Sequence, residues 1–275
     1  MAKFDIELVG KVGSMALINR KHDDMDYNII ARIGRYLHPG VIWVTSGATE
    51  IGRLDYIKRN GKELEGNSEE VKADYAAQGQ TLLMTQYRQF LNSQYSLRQI
   101  LVEHQHFNDD AKRDNLRKLL LRCPSQGAVP IINYNDPLND EEVRKMEIRS
   151  LIAKRGTAVE CVDNDETASQ IACLVKPKTL VILTGVNGIY EDKDDEATLI
   201  KEICGSTVYE TLENVEYYRN FCDGASRAGA QGARAKLGYI EEPLKNGTTV
   251  YIANSKFNME DILEGTVPST KIYTR

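Results

Sequence analysis

No segment of this chain is long and apolar enough to span a membrane. Nor is there an excess of positive charge. The 35 Lys and Arg residues stand against 40 Asp and Glu, for a net charge of −5, so no global basic field points to nucleic acid. Cysteine is scarce: five scattered residues (Cys123, Cys161, Cys173, Cys204, Cys222), an odd count without a C-x-x-C pair. That pattern fits reduced thiols in a cytoplasmic protein. The opening Met1-Ala2-Lys3-Phe4-Asp5 lacks the apolar run of a signal peptide, because Asp5 and Glu7 interrupt it. Internal repeats and low-complexity tracts are absent. The two histidines spaced H-x-H, His104 and His106, have no third ligand placed by the sequence and read as structural or surface residues. No Walker A loop is present: the glycine spacing around Gly10-Lys11 does not match it.

What is present is an alternation of apolar strands and amphipathic helices over 275 residues, enough for one large α/β domain or two small ones. Phe4 to Val9 reads as a strand leading into a loop, Gly10-Lys11-Val12-Gly13-Ser14, of a kind a phosphate can approach closely. Asp23 to Leu37 reads as a helix and Val41-Ile42-Trp43-Val44 as the next strand. It ends at Thr45-Ser46-Gly47-Ala48, a small turn that either frees backbone N–H groups for an anion or is an ordinary turn capped by Ser46. A helix over Val71–Leu91, a strand over Gln99–Val102 and a helix over Asp109–Leu121 follow. Ala128 to Ile132 is a strand ending in the polar turn Asn133-Tyr134-Asn135-Asp136-Pro137.

The stretch from Thr157 to Asn187 organises the rest. It reads as a strand (Thr157–Val162), the cluster Asp163-Asn164-Asp165, a helix with Ile171, Leu174 and Val175 on one face, and the buried strand Leu180-Val181-Ile182-Leu183. This βαβ pattern puts Asp163, Asn164 and Asp165 at the carboxyl end of a strand, where open α/β sheets bind ligands. The plain alternative is a helix cap, with Asp163 and Glu166 forming an acidic capping box. Thr184-Gly185-Val186-Asn187-Gly188 then reads as a tight loop, and Gly224 to Ala233 as a glycine- and alanine-rich piece feeding a helix that carries Lys236 near its start. The expected fold class is α/β: an open, mainly parallel sheet with helices on both faces.

Taken together, Gly10-Lys11-Val12-Gly13-Ser14, Thr45-Ser46-Gly47-Ala48 with Gly52-Arg53, Ala77-Gln78-Gly79-Gln80, Val129 to Asp136, Asp163-Asn164-Asp165 and Leu183 to Tyr190 occur in an order that resembles the amino acid kinase family. The likeness covers roughly residues 4–255 and is closest to the kinase domain of the glutamate 5-kinase branch. Acetylglutamate, carbamate and uridylate kinases share the fold but are not similar in the Asn-x-Asn-Asp and Asp-Asn-Asp turns. The resemblance implies ATP with Mg²⁺, L-glutamate as acceptor, a cytoplasmic setting, a homo-oligomer, and no nucleic acid or membrane partner. It implies one domain over 1–275, with an acceptor-binding half of about 1–160, a nucleotide-binding half of about 161–275 and no RNA-binding-like extension. By resemblance Lys11, Asp165 and Lys236 are catalytic, and Ser46, Gly47, Ala48, Asp136 and Asn164 hold the acceptor. Gly13, Thr184, Gly185, Gly232 and Lys236 face the nucleotide.

Two stretches depart from the family pattern. Thr184-Gly185 stands where the family usually has Thr-Asp, and Gly229-Ala230-Gln231-Gly232-Ala233-Arg234-Ala235-Lys236 replaces Gly-Thr-Gly-Gly-Met-x-Thr-Lys. Both fall on the nucleotide side. Two alternatives therefore stand beside glutamate phosphorylation: a family member acting on another small acid, and a non-catalytic ligand-binding homologue.

Overall fold

The computed structural model describes residues 5–161, 163–192, 194–221 and 230–275. In chain order the principal elements are β1 (Leu8–Val12), α1 (Tyr27–Tyr36), β2 (Val41–Thr45), α2 (Ala48–Asn60), α3 (Ser68–Phe90) and β3 (Ser96–Val102). Then come α4 (Asp110–Arg122), β4 (Ala128–Tyr134), α5 (Glu141–Arg155), α6 (Asn164–Val175) and β5 (Thr179–Thr184). The chain closes with β6 (Glu202–Gly205), α7 (Val208–Phe221), α8 (Ala230–Tyr239), β7 (Thr249–Asn254), α9 (Met259–Glu264) and β8 (Ser269–Thr274). These strands form one eight-stranded sheet in the order β6-β8-β7-β5-β1-β2-β4-β3, with helices around it. Pairings β1–β5, β5–β7, β2–β4, β3–β4 and β6–β8 are parallel, and β7–β8 is antiparallel. The expected α/β class with a mainly parallel sheet is what the chain adopts.

The sequence explains the central strands. β2 and β4 are buried at every position and β5 at all but Thr184, as near-continuous Val, Ile and Leu runs should be when a parallel strand is covered on both sides. No helix among the described residues is long and apolar enough to cross a membrane.

The chain divides into two compact units. One comprises residues 1–12, 40–42 and 165–275, the other residues 13–39 and 43–164. In the first, β5 lies between β1 and β7, with Lys11 opposite Ile182 and Ile252 opposite Ile182 on the other side. In the second, α2 and α3 pack backbone to backbone. A Cβ on Gly52 would sit 1.8 Å from the Tyr75 carbonyl oxygen, and one on Gly79 would sit 1.8 Å from that of Ala48. Only glycine permits that approach, and it holds α3 against the first turn of α2.

Three expected elements differ. The opening strand starts later and runs through Gly10 and Lys11, because their backbones pair with Val181 and Ile182; the loop is confined to Gly13 and the 3₁₀ turn Ser14–Leu17. Residues 157–161 are not a strand. Their hydrogen bonds go elsewhere: one side-chain amide, that of Asn108, donates to Val159 O (2.8 Å) and accepts from Val159 N (2.9 Å). Cys161 then takes a φ of 50°, outside the β region. Val162 lies outside the described residues. Finally, α8 starts at Ala230 and not around Arg234, so Lys236 falls in its last turn. Ala, Gln and Arg at 230–235 are good helix formers. Gly224 to Gly229 lie outside the described residues.

Candidate active site

Two clusters of polar residues, one in each unit, bring together Lys11, Asp165 and Lys236 in one and Ser46 and Asn164 in the other. The first is ionic. Lys11 comes from the middle of the sheet, on β1, and is 6% exposed. Asp165 occupies the first turn of α6, where a negative charge also meets the helix dipole favourably. Lys236 is supplied by α8. Lys11 Nζ lies 2.5 Å from Asp165 Oδ1 and Lys236 Nζ lies 2.7 Å from Asp165 Oδ2. Each carboxylate oxygen therefore carries one ammonium. Burial pushes the Asp165 carboxyl up, but the charges of Lys11 and Lys236 outweigh it and hold the group below the usual aspartate range. Charged residues this deep in a protein are rare unless paired. Two cations on one anion leave one positive charge over, which suits a polyanionic ligand. Lys236 Nζ also donates to Gly232 O (3.4 Å), one turn back in α8.

Thr184 and Gly185, in the same unit, close β5 with a turn. Thr184 Oγ1 accepts from Val186 N (3.0 Å) and donates to Val186 O (2.8 Å). Asn254 Nδ2, from β7, donates to Gly185 O (3.1 Å). A Cβ built on Gly185 meets nothing within 4 Å. Steric crowding does not demand glycine there; the position faces open space.

The second cluster is neutral. β2 ends at Thr45, whose hydroxyl meets the Tyr87 phenol (3.0 Å), itself the acceptor of the Trp43 indole N–H (3.2 Å). Gly47 then takes φ 98° and caps α2 without a side-chain bond. A left-handed residue here favours glycine, and the N-cap is Gly47, not Ser46. The Ser46 hydroxyl instead accepts from Asn164 Nδ2 at 3.1 Å, and the same nitrogen donates to Asn133 Oδ1 at 3.0 Å. Ala48, buried, opens α2. Asn133 Nδ2 donates to Gln80 Oε1 at 2.8 Å. Gln80 and Asn133 are the polar members that a residue-by-residue search for charged groups passes over. The available signal was Asn133, the first polar residue after the apolar run Ala128–Ile132, and Gln80, one of the two glutamines flanking Gly79.

Asp136 opens a short 3₁₀ turn after β4. Burial alone pushes its carboxyl up to about 6. Gly13, at the start of this unit, caps the 3₁₀ turn Ser14–Leu17 with extended backbone. His104 is buried against Glu147 (2.8 Å), and no cluster of three or more His, Cys, Asp or Glu suited to a metal occurs among the described residues.

Residues 8–254 match the model of the amino acid kinase family. Glutamate 5-kinase of Streptococcus suis is 30% identical over 90% of this chain and 64% of its own length. Glutamate 5-kinase 1 of Bacillus subtilis is 29% identical over 96% of this chain and 68% of its length. The chain thus spans about two thirds of the length of these relatives. Among solved structures, carbamate kinase from Giardia lamblia bound to AMP-PNP superposes with a TM-score of 0.62 at 14% identity, covering 100% of both chains. An isopentenyl phosphate kinase superposes with a TM-score of 0.56 at 13% identity, covering 97% of this chain and 99% of its own. At those identities the structures speak to the fold, and the match over residues 8–254 speaks to descent: the chain belongs to the amino acid kinase family.

Proposed function

We propose that this protein is a phosphotransferase that uses ATP to phosphorylate the γ-carboxylate of L-glutamate, giving γ-glutamyl phosphate for proline biosynthesis. The observation that carries the reading is the buried Lys11–Asp165–Lys236 arrangement. Relatives named glutamate 5-kinase support glutamate as the acceptor in this reading. In this reading the unit carrying Ser46, Asp136 and Asn164 binds the amino acid, and the unit carrying Lys11, Thr184 and Lys236 binds the nucleotide.

The γ-carboxylate is ionised at neutral pH and needs no general base. One of its oxygens forms a bond to the γ-phosphorus as the bond to the β-γ bridging oxygen breaks, and ADP leaves with the electron pair. Two anions must approach, so positioning and fixed positive charge carry the catalysis. Lys11 and Lys236 supply that charge, and Asp165 keeps both ammonium groups aimed without neutralising the pair. Ser46, Gly47 and Ala48 offer hydroxyl and backbone donors to the α-carboxylate, and Asp136 and Asn164 receive the α-ammonium. Gly13, Gly185 and Gly232 leave room for phosphates. The residues fit a nucleotide that brings Mg²⁺ held chiefly by phosphate oxygens and water, since no acidic metal cluster is found among the described residues.

We extend the reading to a cytoplasmic homo-oligomer. Leu138, Val143 and Met146, exposed on one stretch of chain, support association; light scattering near 31.0 kDa at micromolar concentration counts against it. A second reading, a ligand-binding homologue without turnover, is favoured by Gly185 and by the substituted stretch at Ala230-Gln231, where the family pattern has other residues. A coupled ADP-release assay over glutamate, aspartate and acetylglutamate decides: glutamate-dependent release alone supports the kinase, equal rates with the other acids overturn the acceptor, and no release with any of them favours the second reading.

A further inference from the structure

Four side chains of the second cluster form one hydrogen-bonded chain whose polarity is set at a single point. The Tyr134 backbone N–H donates to the Asn133 side chain at 2.9 Å. A backbone amide can only donate, so the accepting atom is Asn133 Oδ1. The other end of that carboxamide, Nδ2, must then donate, and it does so to Gln80 at 2.8 Å, which fixes Oε1 as the atom Gln80 turns inward. Asn133 Oδ1 also receives Asn164 Nδ2 (3.0 Å), whose second hydrogen goes to Ser46 Oγ (3.1 Å). Both hydrogens of Asn164 are consumed, so what it has left is an acceptor. Asn164 Oδ1 is buried and has no partner among the described residues. The Ser46 hydroxyl, having accepted, keeps its proton to donate. Gln80 is 6% exposed and Asn133 1%. Gln80 is held in place because Gly79, its neighbour on α3, allows the helix backbone to touch the Ala48 carbonyl.

An unpaired buried acceptor is unfavourable in the free protein and is relieved by a donor arriving with a ligand. We propose that Gln80 is a positioning residue for the acceptor substrate. Anchoring the Asn133 carboxamide together with the Tyr134 N–H, it holds the Asn164 carboxamide with its oxygen turned away from Asn133, so that this position recognises a cationic donor, the ammonium of an amino acid, and rejects the same acid without one. This rests on the reading of glutamate as acceptor. Without Gln80, Asn133 Nδ2 loses its partner and the carboxamide keeps only the Tyr134 N–H as anchor, so the acceptor that fixes Asn164 is less firmly placed.

The test compares the parent with Gln80→Leu and Gln80→Glu, using glutamate and its deaminated analogue glutarate as probes. Gln80→Glu keeps an oxygen where Asn133 donates. Two readouts are taken: kcat and KM for each acid and for ATP, and the thermal shift each acid causes without nucleotide. In Gln80→Leu the KM for glutamate rises about tenfold to a hundredfold, as for loss of a hydrogen bond to a charged group, and the preference for glutamate over glutarate collapses by a similar factor. KM for ATP moves by less than about twofold, since the Lys11 cluster is untouched, and Gln80→Glu restores the preference. A purely structural role would lower the melting temperature without changing the ratio of the two acids. If Gln80→Leu melts below the assay temperature, Gln80→Met, of similar length, replaces it. An unchanged ratio in a folded Gln80→Leu or Gln80→Met overturns the proposal while the kinase reading stands. A parent that is stabilised by glutamate over glutarate, loses this in Gln80→Leu and never releases ADP supports the positioning role and overturns the kinase reading. A parent neither stabilised nor turned over by glutamate overturns both.

Discussion

The two polar clusters of this molecule are prepared for their ligands in opposite ways. Around Asp165 the carboxylate is answered within the protein: two ammonium groups on two carboxylate oxygens, buried, with the carboxyl held below its ordinary range by Lys11 and Lys236 against the effect of burial. Around Asn164 the groups are aligned but incomplete. Among the described residues Asn164 Oδ1 has no partner, and Asp136, in the turn after β4, is pushed up to about 6 by burial alone. The first cluster is assembled before the ligand arrives. The second is completed by it. A polyanion meets a fixed surplus of positive charge, whereas a zwitterion must bring the cation that the Asp136 region lacks. Preorganised charge suits the transition state of phosphoryl transfer, and incompleteness suits discrimination among small acids.

The sharpest way to break this contrast is to remove one carboxylate from each cluster. Asp165→Asn leaves Lys11 and Lys236 buried without their anion, and unfolding free energy falls by about 3–5 kcal/mol, as when one partner of a buried pair is deleted. Chemical denaturation measures it, and a change under 1 kcal/mol would show the cluster to be solvated. Next in size is Lys11→Ala. Asp165 retains Lys236, so the fold survives, while kcat drops by about a hundredfold to a thousandfold, or roughly 2.7–4 kcal/mol of transition-state stabilisation. Near-normal kcat in this variant removes the mechanism proposed here.

Asp136→Asn works in the other direction. A carboxyl raised from about 3.9 to about 6 is destabilising when ionised, so deleting the charge stabilises the protein at pH 7 by about 1–3 kcal/mol. The same change raises the KM for glutamate far more than that for ATP. A melting temperature that falls at pH 7 would mean Asp136 already has its counter-charge. The two groups also part company with pH. Asp136 has its carboxyl raised, so it takes up a proton as pH falls through about 6, and the KM for glutamate rises below that value. Asp165 has its carboxyl lowered. Its ion pairs contribute fully above the ordinary aspartate range and are lost only as pH falls through the depressed value. At pH 5 the Lys11–Asp165–Lys236 pairs are intact and Asp136 is protonated; initial rates against each substrate at pH 5 and 8 read this directly. The smallest effect belongs to Arg234→Ala. Lys236 on the same helix already pairs with Asp165, so kcat changes by less than about threefold, within the range of ordinary surface substitutions. A larger loss would assign Arg234 part of the work of Lys236.

Much of this was legible from local pattern. Ala128–Ile132 and Leu180–Leu183 could only be strands covered on both faces, and β4 and β5 are buried there accordingly. α1 was expected from the spacing of Ile29, Ile30, Ile33 and Leu37, of which all but the half-buried Ile29 are buried, although Asp26 caps it and sets its start later than Asp23. Where local pattern failed, a distant partner had intervened. Residues 157–161 carry strand-like side chains, but Asn108 takes both backbone groups of Val159. Gly10-Lys11 has the composition of a loop, yet pairing with Val181 and Ile182 draws it into β1.

Sequence alone determined the alternation of strand and helix, the identity of the turn residues at strand ends and the presence of two lysines and an aspartate in chemically suggestive stretches. These follow from side-chain size, branching and backbone preference, which act over a few residues. Tertiary structure decided the sheet order with its antiparallel β8 and the burial of Lys11 and its pairing with Asp165. It also decided which atom each carboxamide of Gln80, Asn133 and Asn164 turns outward. An amide carries a donor and an acceptor of nearly equal size, so its composition leaves the choice open. One backbone N–H, that of Tyr134 at the end of β4, makes it for all three.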